Sequence, residues 1–327
     1  EHHQSTAVIV KVIDKYHYKE ARLDDESSAE ILQRYLDSID PNRSFFLASD
    51  IAAISNYKTK LDDYLKSARI QPAFEIFRIY RKRVSEAIAH ANLLVDSDFD
   101  FTVDETYLFD RKDAPWAQTR TELKEIWRKR VKNDFLTLRL TEKEDDEIRK
   151  TLHERYNRLE RRVAQFDAND VFQTFINAYT LNLEPHTSYM SPSSSENFDI
   201  SMRLSLEGIG AVLRSDDEFT VVQKTVLGGP AKTSGQLHAG DRIVGVGQGL
   251  EGEIEDIIGW RLQDVVEKIR GPKGSVVRLL ILPKDQDAGG KRELITLVRN
   301  EIKLEEQAAK GSVIEGLESM GEPVSYT

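Results

Sequence analysis

The 327-residue chain has no cysteine, which excludes disulfide frameworks, thiolate zinc sites and cysteine nucleophiles together. It also has no apolar run approaching the ~18 to 20 residues that span a bilayer as a helix, so a transmembrane reading falls away. Nor is it basic. Lys and Arg number 46 against 56 Asp and Glu, a net charge of -10, so a general polyanion surface is excluded and nucleic acid is a poor partner. The seven histidines stand at 2, 3, 17, 90, 153, 186 and 238, with no metal-ligand spacing, and no metal or cofactor is expected. The first residue is Glu1 with no charged-then-apolar leader behind it, from which a processed or trimmed chain is expected.

The most informative scarcity is glycine. None occurs before Gly208, and all 18 lie between Gly208 and Gly321. Glycine is costly inside helices and serves turns that need positive φ. The first part is therefore predicted to be helical and the second rich in strands and tight turns. Length alone gives a prior of about two domains at ~150 residues each. The stretch Ser191-Pro192-Ser193-Ser194-Ser195-Glu196-Asn197 has linker composition.

Hydrophobic periodicity fills in both halves. Phe74, Phe77, Tyr80, Val84, Ile88 and Leu94 recur at helical spacing behind Pro72, which suits a first helical turn. Further stripes run from Leu123 to Phe135, Ile148 to Val163 and Val171 to Tyr179, with connections at Asp40–Ser44 and Asp110–Pro115. Several antiparallel helices follow from this pattern. Beyond residue 200, the runs at 219–224, 242–246, 276–282 and 293–298 are β-rich and bounded by turn residues. One helix interrupts them, from about Trp260 to Arg270, stopped by Gly271-Pro272. A small, partly open barrel or sandwich with one packed helix is the economical fold.

Most candidate chemistry reduces to structure. His90 and His153 lie in charged helical stretches, and His186, between Pro185 and Thr187, suits a structural hydrogen bond. Gly245-Val-Gly-Gln-Gly249 follows a strand without opening a helix, which makes it a hairpin and not a dinucleotide loop. Gly271-Pro-Lys-Gly-Ser275 lacks phosphate-loop spacing and is a turn; the basic stretch Arg155 to Arg162 reads as a solvated helix face. Ser205-Leu-Glu-Gly-Ile-Gly-Ala-Val212 carries more weight. Two glycines beside a β run let successive backbone N–H groups share one concavity, a nest for an anion such as a carboxylate. Leu262, Val266 and Ile269, at i, i+4 and i+7, could line a peptide groove beside it. The competing reading, a tight turn with an ordinary core helix, fits the pattern equally well.

Ser205 to Leu213, Gly228-Gly-Pro-Ala231, Leu237-His-Ala-Gly-Asp-Arg-Ile-Val244 and Asp264-Val-Val-Glu-Lys-Ile-Arg-Gly-Pro-Lys-Gly-Ser275 resemble the PDZ domain of bacterial carboxyl-terminal processing proteases. Asp37 to Asp50, Tyr107 to Trp116 and Glu184-Pro-His-Thr-Ser-Tyr-Met-Ser-Pro192 resemble the helical domain of a Gram-negative periplasmic branch of that family. The last departs from the family's Asp-Pro-His-Thr-x-Tyr-Leu-x-Pro only at Glu184 and Met190. The resemblance covers nearly the whole chain and implies an α+β multidomain fold. Its expected parts are an all-helical domain at 1–195, a linker at 196–204, a PDZ domain at 205–299 (a partly open β-barrel with a groove-lining helix) and the beginning of a protease domain at 300–327.

The implied parent is a periplasmic serine endopeptidase with a Ser/Lys dyad, peripheral to a membrane at most, that recognises proteins by apolar free C-termini. A tetratricopeptide-repeat lipoprotein adaptor is among the partners the resemblance implies. The peptide-binding residues would be Leu206, Gly208, Ile209, Gly210, Ala211, Leu262, Val266 and Ile269. No serine or lysine of this chain matches the dyad, which is expected beyond Thr327, so the chain alone is expected to be inactive. The alternative is a non-enzymatic PDZ adaptor or chaperone that binds protein C-termini.

Overall fold

The computed structural model describes residues 2–20, 22–286 and 290–303. The chain forms two compact units, Glu1–Ser191 and Pro192–Thr327, and each is built on its own core. In the first, the α-helices among the described residues are α1 (His2–Tyr16), α2 (Asp25–Ile39), α3 (Ala48–Ile54), α4 (Leu61–Lys66), α5 (Gln71–Val95), α6 (Arg120–Arg139), α7 (Asp145–Ala164) and α8 (Ala168–Leu183). The four stripes predicted from periodicity become α5 to α8. Each starts where its sequence supplies a start. Pro72 sits in the first turn of α5, Thr119 caps α6 by accepting from the Glu122 N–H, and Asp167 and Asp170 form a reciprocal capping box on α8. Helix α5 is the spine: α6, α7 and α8 all pack on it, burying Ile76, Phe77, Val84, Ile88, Trp127, Leu152 and Phe175 in one cluster.

Polar clamps close the connections between these helices, and the segments behind the family resemblance supply them. The Asp40 carboxylate, 1% exposed, accepts the backbone N–H groups of Ser44, Phe45 and Phe46 at 2.8, 3.0 and 3.1 Å. Burial pushes its carboxyl upward, and those three donors oppose the shift. The Ser44 carbonyl in turn takes the indole N–H of buried Trp127 at 2.8 Å. Arg43 reaches the Ala114 carbonyl at 2.6 Å and lies over the Trp116 ring, joining the 37–50 and 107–116 segments. In the third segment, Glu184 accepts the His186 N–H, the His186 Nδ1 and the Thr187 hydroxyl. Donation by Thr187, then by His186, holds this carboxyl at about 2, well below its ordinary 4.5.

The second unit opens with α9 (Pro192–Arg203), followed by β1 (Ser205–Gly208), β2 (Ala211–Asp216), β3 (Phe219–Thr225), α10 (Pro230–Ser234), β4 (Arg242–Gln248), β5 (Ile254–Asp256), α11 (Leu262–Ile269), β6 (Val276–Leu282), β7 (Glu293–Val298) and β8 (Asn300–Lys303). The sheet runs β2-β3-β4-β6-β7, antiparallel throughout, with β5 paired to β4. It does not close into a barrel. Alternation sets its inner face: Val277, Leu279 and Ile281 of β6 and Ile295 and Leu297 of β7 are buried in one cluster with Val265 and Ile269 of α11. The two glycine-rich stretches at 245–249 and 271–275 are a strand-to-turn transition and a turn.

Two stretches differ from expectation. Where a linker is expected over 196–204, the structure has α9. Serine and proline favour loops, but proline is equally at home in the first turn of a helix, and Pro192 stands there. The helix buries none of its side chains, so no apolar stripe announced it. At the other end, residues 300–303 pair with 205–208 as a two-stranded sheet, Leu206 opposite Ile302 and Gly208 opposite Asn300. The remainder of the expected protease-domain stub, 304–327, lies outside the described residues.

The Glu184 clamp predicts a pH dependence. A carboxyl whose pKa is lower in the folded state stabilises the fold above its unfolded value, and that contribution is lost as pH falls. Between about pH 4.5 and 2 the helical unit should therefore lose stability, and Glu184→Gln should lose less over the same interval while starting weaker at neutral pH. Urea midpoints followed against pH check this; parallel curves for the two proteins would contradict it.

Candidate peptide-binding site

Among the described residues, strand β2 is the end of its sheet, and one of its edges has no strand beside it. Helix α11 packs against β2 and β4, flanking that edge. The short turn Ile209–Gly210, between β1 and β2, closes one end. In this turn the Ile209 carbonyl accepts from Ala231 N–H and the Gly210 carbonyl from Val226 N–H, both at 2.8 Å. Among the turn and loop hydrogen bonds of the described residues, neither residue's N–H donates. Tying down the carbonyls fixes the turn while leaving its donors available, which an anion nest requires.

Glycine is needed here for two separate reasons. Gly210 has φ +72°, in the left-handed region, and a Cβ on it would lie 2.9 Å from the Gly229 Cα. Gly229 faces it reciprocally, its own Cβ position 3.0 Å from the Gly210 Cα. The Gly228-Gly-Pro-Ala segment is thus the backing of the nest, and Ala231, fully buried, supplies one of the two bonds that hold it.

The structure sorts the predicted site residues. Gly208, Ile209 and Gly210 are buried in the turn, and Leu206 and Ala211 are half-buried on either side. On α11, Leu262 and Val266 line a cleft of about 350 Å³ with Gln263, Glu267 and Arg270. Ile269 is 3% exposed and belongs to the core with Val265, so it supports the groove wall from behind and does not line this cleft. The stripe 262, 266, 269 spans about 60° of helix, and the sheet takes its 265/269 side while 262 and 266 stay at the margin.

Sequence reasoning missed the residues that frame this cleft. Ser193, Glu196 and Asn197 of α9 form its other wall. Gln263 donates to the Ser193 hydroxyl at 2.6 Å and Arg270 to the Asn197 amide oxygen at 2.8 Å. A second cleft, of about 550 Å³, lies on the side of α9 that faces Leu206 and Gly271. The start signal at Pro192 was the one available clue to α9; nothing local marks Gln263 or Arg270 as its anchors.

An open strand edge, a helix beside it and a glycine turn at one end define a PDZ-type peptide-binding module. Comparison with known families agrees: a PDZ domain model matches residues 198–282, and a model described as the tail-specific protease N-terminal domain matches residues 9–193. With more than half its length in that match, the chain belongs to the tail-specific protease N-terminal domain family. It is 43% identical over 295 residues to the tail-specific protease of Haemophilus influenzae, covering 90% of this chain and 42% of that protein. It is 33% identical over 138 residues to a carboxy-terminal processing protease of Bacillus subtilis, covering 42% of this chain and 26% of that one. The chain thus spans less than half the length of these curated relatives. Among solved structures, it is similar to the PDZ domain of a carboxy-terminal protease from Vibrio cholerae, determined in complex with peptide. The identity is 52% over 31% of this chain and all of that one, with a TM-score of 0.29.

The Gly210–Gly229 contact generates a prediction. Gly210→Ala should destabilise the second unit by about 2 kcal/mol or more, since alanine meets both the positive φ and the facing backbone. Thermal denaturation of the second unit reads this; a loss below ~0.5 kcal/mol would show that the two loops can separate freely.

Proposed function

We propose that this chain is the substrate-recognition portion of a periplasmic serine endopeptidase, and that its PDZ unit selects proteins by apolar side chains next to a free C-terminal carboxylate. The observation that carries the reading is the exposed edge of β2 ending at a turn whose carbonyls are tied and whose N–H groups are not. An extended peptide added there gains backbone hydrogen bonds along the edge, and alternate side chains reach Leu262 and Val266. The terminal carboxylate is received by the N–H groups near Ile209, Gly210 and Ala211, and Leu206 lies beside the turn.

The catalytic step belongs to a Ser/Lys dyad in this proposal, as the family resemblance implies, and no serine or lysine of this chain is assigned to it. Such a dyad needs a lysine kept neutral by burial so that it can take the serine proton. The chain alone should hold tails without cleaving them. For the helical unit, the proposed partner is a tetratricopeptide-repeat lipoprotein adaptor. A cleft of about 320 Å³ between α5 and α6, with Ala87, Leu123 and Trp127 along it, offers an apolar surface of suitable kind, and Leu93 beside them is 72% exposed.

Calorimetry on the 327-residue chain tests the recognition step, using matched peptides with apolar ends, one a free acid and one amidated. The free acid should bind with Kd ~10 to 100 µM, about -5.5 to -7 kcal/mol, and the amide at least about tenfold more weakly, since a charge-assisted contact of ~1.4 kcal/mol is lost. Equal binding would remove the carboxylate nest. Leu262→Asp should weaken the free acid further by placing a charge beside the incoming apolar side chain.

A further inference from the structure

Arg299 lies between β7 and β8 and is 3% exposed. Its guanidinium donates to five oxygens, all uncharged: the Ile269 carbonyl at 2.7 Å, the Lys268 carbonyl at 3.0 Å, Gln248 Oε1 at 2.7 Å, Ser275 Oγ at 3.0 Å and the Val276 carbonyl at 3.3 Å. No carboxylate of a described residue pairs with it. A buried cation without a counter-ion is expensive, and removal from water already lowers its pKa. Two of its acceptors are the last carbonyls of α11, where the helix concentrates partial negative charge.

That end of the helix lies beside Gly208, the last residue of β1, which leads into the turn. A Cβ on Gly208 would lie 3.9 Å from the Arg270 Cα, and one on Gly271 would lie 3.0 Å from the Arg299 Cζ. The order in space is therefore carboxylate turn, α11 terminus, guanidinium. Left bare, the helix terminus would repel an anion at the turn; Arg299 covers its carbonyls and leaves a net positive charge behind them. Gly271, at φ +156°, makes room for the guanidinium, and a side chain there would collide with it.

We infer that Arg299 is the positioning residue that makes the turn electrostatically fit for a carboxylate, by neutralising the α11 terminus from beneath while never touching the peptide. The inference rests on the proposed carboxylate recognition and assigns its charge source. The same matched peptides test it, with Arg299→Gln and Arg299→Lys forms of the 327-residue chain beside the unaltered one and with folding checked by thermal melting.

In the unaltered chain the free acid should be preferred about tenfold or more; a ratio near one there would sink the carboxylate reading itself. Arg299→Gln, which removes the charge, should bring the ratio down to about twofold while the amidated peptide binds within about threefold of before. A ratio left intact in this variant would overturn the role of Arg299 and leave the recognition reading standing. If both peptides weaken in parallel, the residue acts only by holding α11, which also overturns it. Arg299→Lys keeps the charge but forfeits most of the hydrogen bonds, so it should melt lower and retain the preference. Loss of the preference in this variant counts against the inference even if the glutamine variant fails to fold.

Discussion

The recognition unit depends on two glycine backbones lying against each other. Gly210 and Gly229 approach so closely that a methyl group on either would fall within about 3 Å of the other's Cα. That proximity places the Val226 and Ala231 N–H groups on the Gly210 and Ile209 carbonyls. What the proposed carboxylate recognition needs from the turn follows from that approach: a fixed backbone with its two carbonyls already occupied. The glycine content of this half of the chain reflects close approach as much as tight turning.

The helical unit solves the opposite problem without glycine. Its connections cannot rely on compact backbone crossings, so they are held by side chains that gather backbone donors, as Asp40 and Glu184 do, or that bridge elements in pairs. Asp50 and Arg83 are such a pair, joined by two bonds of 2.8 and 2.9 Å with both side chains 12% exposed. Asp40 collects three buried backbone donors onto one carboxylate, so removing it would leave all three unsatisfied. The segments most diagnostic of the family in this unit are therefore architectural, and the histidine in one of them, His186, serves the Glu184 clamp.

What could be read in the sequence tracks how local the cause is. The stripe beginning at Phe74 and the run 276–282 announced α5 and β6 because their own spacing fixes the buried face. The glycine turn was legible at Gly210 because a positive φ and a close backbone approach have their own residue requirement. Ile269 was placed on the groove because three apolar residues on one stripe look alike; only the position of the sheet separates Leu262 and Val266 from it. Helix α9 was hidden because it is held by Gln263 and Arg270 and not by burial. Arg299 was beyond reach altogether, since its five contacts come from three other stretches of chain.

An unoccupied strand edge has a weakness that its closed end corrects. A segment adding to such an edge can slide along it, and a slip of one residue turns every side chain to the opposite face. If a terminus is received there as proposed, the turn at Ile209–Gly210 is an end stop: a chain that terminates can abut it, while one that continues must stand away or bend. The stop does more than add a contact. In the proposed reading it would set the zero from which positions along the incoming segment are counted, so the same side chains of that segment would face α11 each time. Discrimination between sequences on this surface would then be a matter of distance from the terminus, and an internal segment of identical composition would have no defined alignment to read.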